Sequence, residues 1–150
     1  MANITASLVN ELRQRTGVGM MDCKKALVEC DGDMDKAIDY LREKGQKLAA
    51  KRADRDASEG AVLAGVNADK TFAAVIMMNC ETDFVAKNED FVAFTKTVLD
   101  AALAAKAQTM QDVLALEIEG KSVETMIVEQ VAKIGEKITL SHYLPIEAAA

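Results

Sequence analysis

Asn79-Cys80-Glu81-Thr82-Asp83-Phe84-Val85-Ala86-Lys87 is the stretch on which the fold turns. It follows an apolar run, Phe72 to Met78, and precedes a long amphipathic segment, Glu89 to Ala105. A buried strand, a bend and a helix satisfy both flanks. Phe84 is the odd residue, a large apolar side chain among Glu81, Thr82, Asp83, Lys87 and Asn88. A ring in such a setting either tucks beneath the bend as core or projects as an anchor for another molecule. The residues alone leave both readings open.

Working outward, the apolar run before the bend pairs with an earlier one. Ala61 to Val66 is a short apolar segment, Asn67-Ala68-Asp69-Lys70 is turn chemistry, and Thr71 to Asn79 is apolar at both parities. This spacing predicts a β-hairpin whose second strand is covered on both faces. After the bend, Asn88 is placed to cap a helix from Glu89. Phe91, Phe94, Thr95, Val98, Ala102 and Ala105 line one side of it, widened by Val92, Leu99 and Leu103, as suits packing on a sheet. Thr109 to Leu116 reads as a short helix, and Glu119-Gly120-Lys121 as a break. Ser122 caps a helix from Val123 to Ile134, which Gly135 ends. Ile138 to Leu144 alternates as a strand before Pro145. The order β-β-α-(α)-α-β predicts a small antiparallel sheet covered by helices, an α+β fold.

The N-terminal part reads differently. Thr5 caps a helix running to about Thr16, with Leu8, Val9 and Leu12 on one face and Gly17-Val18-Gly19 as its stop. In a second helix, about Met20 to Cys30, an arc holds Met20, Cys23, Ala26, Leu27 and Cys30. Met21 and Val28 lie off that arc and form an apolar strip, which serves either as an adaptable binding surface or as packing for the second domain. Asp33 caps a third helix with Met34, Ala37, Ile38 and Leu41 inward, and Gly45 is expected to stop it. Three short helices over residues 1–45 make a bundle with a thin core. In residues 42–56, Arg42, Lys44, Lys47, Lys51, Arg52 and Arg55 outnumber Glu43, Asp54 and Asp56. Residues 46–59 read as a basic, partly helical linker. It is either a solvated connector or a contact for an acidic partner surface. Residues 60–150 form the α+β segment.

Composition narrows the function. The chain has 150 residues and a net charge of -6, which argues against a general nucleic-acid binder. No apolar run approaches the length of a membrane span, and the N-terminus lacks the charged and apolar regions of a secretory signal. Cys23, Cys30 and Cys80 are odd in number and widely spaced, with no CxxC and one remote histidine, His142. Reduced thiols in a cytoplasmic protein are expected, with no disulfide framework and no metal site. Glu81, Asp83, Glu89 and Asp90 could be imagined as a metal or acid-base cluster. Their spacing fits no calcium loop, and acidic residues at a helix N-terminus account for them better. Cys80 with His142 as nucleophile and base is a remote alternative. No Gly-rich phosphate loop is present, so a nucleotide hydrolase is not expected; with no nucleophile or metal site assembled in the residues, neither is another enzyme, nor a cofactor.

Two stretches together carry a family resemblance. Thr16-Gly17-Val18-Gly19-Met20-Met21-Asp22-Cys23-Lys24-Lys25-Ala26-Leu27 resembles the N-terminal signature of translation elongation factor Ts. Asn79 to Lys87 resembles its second signature, the Thr-Asp-Phe-Val block. Both are long, ungapped and in the family's order, and the similarity runs from Ile4 to about Leu144, including Lys133–Glu136. The resemblance implies a bundle of the ubiquitin-associated type followed by the first half of a core, dimerisation-type domain. It implies a guanine nucleotide exchange factor without covalent chemistry, whose partner is the GTPase elongation factor Tu, GDP-bound and nucleotide-free. Neither nucleic acid nor membrane is implied as a partner. Asp83 and Phe84, with Thr82 and Val85, map onto the element that enters the GTPase near its magnesium and phosphate site. Arg13, Met20 and Met21 map onto the bundle's grip on a helix of the same partner. The family's core has a second, related half, so a chain stopping at Ala150 is expected to be a truncated or short form. The alternative is a non-catalytic binding module that only docks.

Overall fold

A computed structural model describes residues 2–148; Met1 and residues 149–150, the ends of the predicted bundle and core segments, lie outside the described residues. The chain divides into two units, Met1–Ala53 with Val128–Glu136, and Asp54–Ile127 with Lys137–Ala150. The fold is α+β, with an N-terminal helical bundle and a small antiparallel sheet.

In the first unit, α1 (Ala6–Thr16) begins where the Thr5 hydroxyl accepts the Leu8 amide and ends where Gly17 takes φ +71°. That positive φ is the left-handed conformation glycine adopts without steric cost. α2 (Met20–Glu29) follows, then α3 (Met34–Lys51), capped where the Asp33 carboxylate accepts the Lys36 amide. Val9, Leu12, Val18, Cys23, Ala26, Leu27, Ala37 and Leu41 form the buried core, with Ile4, Leu8, Met34 and Ile38 packed against it. Met20 departs from the helical-wheel expectation. It is the first residue of α2 and is 53% exposed, because helical side chains tilt toward the N-terminus and no preceding turn lies beneath it. Gly45 departs too. It does not stop α3, which runs on to Lys51, so the start of the predicted linker is helix. A Cβ at Gly45 would lie 3.0 Å from the Ala132 Cβ, on the segment 128–136 of the same unit. The missing side chain thus serves a close helix approach, not a turn.

In the second unit, β1 (Glu59–Val66) and β2 (Phe72–Cys80) form the predicted hairpin, with Glu59 opposite Cys80 and Val66 opposite Ala73. The turn is held by the Asn67 side chain, which accepts the Thr71 and Phe72 amides. After β2 come α4 (Asp83–Ala86), α5 (Glu89–Ala105) and α6 (Met110–Ala115). A two-residue ribbon, β3 (Glu117–Ile118) with β4 (Lys121–Ser122), occupies the predicted break. α7 (Val123–Ile134) starts where the Ser122 hydroxyl accepts the Thr125 amide. β5 (Thr139–Glu147) then pairs antiparallel with β2, making the order β1-β2-β5. β5 runs through Pro145 instead of ending before it, which an edge strand permits because its outer amides need no strand partner.

α5 covers one face of the sheet, as its wide stripe predicts: Phe91, Phe94, Val98, Leu99, Ala102 and Leu103 are buried. Phe72, Ala74, Ile76, Met78 and Cys80 of β2 meet that face. The expectation that β2 is covered on both faces is corrected. Its alternate residues, Ala73, Val75 and Met77, are only half-buried, because the helices of this unit pack on one side.

Candidate functional site

The bend between β2 and α5 is built from the strand outward. Cys80 is fully buried, and its thiol donates to the Thr82 carbonyl at 3.2 Å. Thr82 has extended φ and ψ, and its hydroxyl accepts the Val85 amide at 3.4 Å, capping the single turn α4. The Ala86 and Lys87 amides return to the Thr82 and Asp83 carbonyls. Asn88 then caps α5, its side chain accepting the Asp90 and Phe91 amides at 2.8 and 3.4 Å. Phe91, 1% exposed, ties the start of α5 to the core. Two caps within seven residues therefore fix where the chain leaves the strand and where it enters the long helix.

Glu81 supplies the third fastening. Its side chain is 11% exposed, and one carboxylate oxygen accepts the Lys137 amide at 2.7 Å. The other oxygen lies 3.7 Å from the Arg55 guanidinium, and the Lys137 ammonium donates to the Arg55 carbonyl at 3.2 Å. A carboxylate that satisfies a backbone amide and faces a guanidinium holds the bend against the segment leading into β5. Behind it, the Asn79 side chain donates to the Glu59 carbonyl at 3.0 Å and contacts the Ser141 hydroxyl.

On this pinned bend Phe84 is 84% exposed, the highest value among the large apolar residues described. The core alternative for its ring therefore does not hold. Asp83 is exposed and pairs with Lys87 at 3.5 Å, one helical turn on; Thr82 and Val85 are half-buried beside the ring. The geometry can offer a partner one ring and one carboxylate with little backbone freedom behind them.

The N-terminal candidates sit in the other unit. The Thr16 hydroxyl donates to the Leu12 carbonyl at 2.8 Å and accepts the Val18 amide at 3.3 Å. The Cys23 thiol donates to the Val18 carbonyl at 3.5 Å, and burial pushes that thiol's pKa up, so it is a packing group and not a reactive one. With Val18 buried, Met20 and Met21 are turned outward at 53% and 69% exposure, continued along α2 by Val28 at 58%. Arg13, on the last turn of α1, is exposed.

The alternative chemistries do not assemble. No cluster of three or more metal-ligating side chains occurs among the described residues. Glu81 is turned inward, away from any such role. His142 is exposed opposite Met77 and contacts the Ser141 hydroxyl, whereas Cys80 points into the core. The three cysteines form no disulfide, and no helix among the described residues is long and apolar enough to cross a membrane. The supporting trio Arg55, Glu81 and Lys137 leaves no signal in the sequence. Its contacts span up to 82 residues, and no local pattern marks them.

Residues 81–150 match the family model of elongation factor Ts. The chain is 53% identical over 148 residues to an elongation factor Ts of Christiangramia forsetii, covering 99% of this chain and 53% of that one. It is 54% identical to one of Amoebophilus asiaticus, covering 97% and 52%, and 52% identical to one of Rhodopirellula baltica, covering 98% and 44%. The chain thus spans about half the length of the curated relatives it matches.

Proposed function

We propose, from the premise that the chain belongs to the elongation factor Ts family, that it acts in translation elongation as a guanine nucleotide exchange factor for elongation factor Tu. The bundle docks on the GTPase through Arg13, Met20 and Met21. Asp83 and Phe84, flanked by Thr82 and Val85, enter near the bound magnesium and phosphates and disturb the groups that hold GDP. The chain meets the partner GDP-bound and promotes loss of GDP by binding the nucleotide-free form more tightly. The observation that supports this reading is Phe84: an 84% exposed ring on a bend whose two ends are capped and whose Glu81 is fastened.

The energetics set what the bend must supply. Exchange requires tighter binding to the empty GTPase than to the GDP-bound one, and the two affinities are linked reciprocally. A 10⁴-fold effect needs about 5.5 kcal/mol of differential binding. Truncating a well-packed aromatic anchor typically costs ~2–4 kcal/mol, and a buried charged contact a comparable amount. One ring and one carboxylate have the right scale, provided their contacts form best in the empty state. A rigid bend matters here, because a flexible loop would lose part of that energy to ordering.

The test is stopped-flow release of fluorescent GDP from elongation factor Tu at saturating chain. Phe84→Ala should slow release about 30-fold or more, the equivalent of ~2 kcal/mol, with thermal stability unchanged. Unaltered release would sink the reading. The exposed strip Met20, Met21 and Val28 favours a second reading, a module that docks without exchanging; its signature is tight binding to the GTPase with no acceleration of release by the unmodified chain.

A further inference from the structure

The basic stretch that the exchange reading leaves unused lies on the far half of α3. Because Gly45 lets residues 128–136 approach α3 closely, the two segments meet at one point and leave a groove of about 260 Å³ beside it. Its floor is apolar, with Val18 and Leu41 at the base and Leu48 and Ala132 half-buried at its sides. Its rim is charged: Lys44, Lys47 and Lys51 from α3, and Asp22 from α2. Leu41, Lys44, Gly45 and Leu48 fall at i, i+3, i+4 and i+7, so the groove follows the axis of α3 for two turns. The Lys44 ammonium is 3.2 Å from the Asp22 carboxylate and the Lys47 ammonium 3.3 Å from that of Glu43, whereas Lys51 has no ion pair among the described residues.

We infer that this groove binds an acidic amphipathic helix, with apolar side chains against Val18, Leu41 and Leu48 and carboxylates toward Lys47 and Lys51. Charge complementarity selects the occupant. The rim sets three lysines against one aspartate in a chain of net charge -6, so it favours carboxylates. The apolar floor and the lysine stems require apolar side chains between those carboxylates, the pattern of helix-in-groove recognition. A nucleic-acid strand fits less well, because Asp22 faces the groove and no aromatic platform lines it. The site is distinct from the outward strip of Met20, Met21 and Val28.

The test is fluorescence anisotropy with the full chain and three labelled probes. One is a helical peptide with leucines at i, i+3, i+4 and i+7 and glutamates elsewhere; the second replaces each glutamate by lysine; the third is oligouridylate. The expected result is saturable binding of the acidic peptide that weakens with salt. The double variant Lys47→Glu, Lys51→Glu should weaken it at least about tenfold and turn preference toward the lysine peptide. Both lysines are exposed, so the fold should survive, which circular dichroism checks. Leu48→Ala should weaken both peptides in their respective hosts. Equal binding of the two peptides, no binding of the acidic one, or tighter binding of oligouridylate would overturn the inference.

Discussion

The outward strip of α2 and the bend after β2 both put apolar side chains in water, but they are built on different physics. Met20, Met21 and Val28 ride on a regular helix whose other face is the bundle core; the strip is broad, and its methionines are flexible. Phe84 is one ring on a single helical turn, with Thr82 and Asn88 capping either side and Glu81 fastened to Lys137. A broad, adaptable strip suits affinity for a surface. A rigid, isolated ring suits an energy difference between two states of a partner, since it either finds its slot or does not. The contrast teaches that exposure alone does not define a role; what stands behind the exposed group does.

The sharpest way to break this contrast is Phe84→Ala. Its expected loss, about 30-fold or more in GDP release, should leave stability within ~0.5 kcal/mol, since the ring packs on little of its own chain. Glu81→Ala comes next. It strips the Lys137 amide of its acceptor, so a stability loss of about 1–3 kcal/mol in urea denaturation is expected, with slower exchange even after folding is restored by cooling. A stable variant with normal exchange would mean the fastening is irrelevant to the ring. Met21→Ala should raise the half-saturating concentration about three- to tenfold, ~1 kcal/mol, with the maximal rate unchanged. The smallest effect is expected for Lys87→Ala, which releases Asp83 from an exposed i, i+4 pair worth about 0.3–0.5 kcal/mol; melting should hardly move.

Local chemistry made much of the fold legible. Thr5, Asp33, Asn88 and Ser122 announced helix starts, and the Asn67–Lys70 turn announced the hairpin, because caps and turns are decided within a few residues. What stayed hidden depends on contacts far along the chain. Gly45 looks the same in sequence whether it ends a helix or admits Ala132 beside it. The apolar run of β2 looks the same whether two faces are covered or one. Pro145 within β5 is permitted only by an edge position that topology decides. At the bend, the anomaly of Phe84 was visible in the residues, and its exposure needed coordinates. Glu81 read as one carboxylate among several until its partners, 56 residues away at Lys137 and across at Arg55, were in place.

The most direct test of the division between ring and strip is a concentration series of GDP release from elongation factor Tu with the unmodified chain, Phe84→Ala and Met21→Ala. Phe84→Ala should lower the maximal rate and hardly shift half-saturation, while Met21→Ala should do the reverse. A Phe84→Ala variant that reaches the full maximal rate at higher concentration would contradict that division.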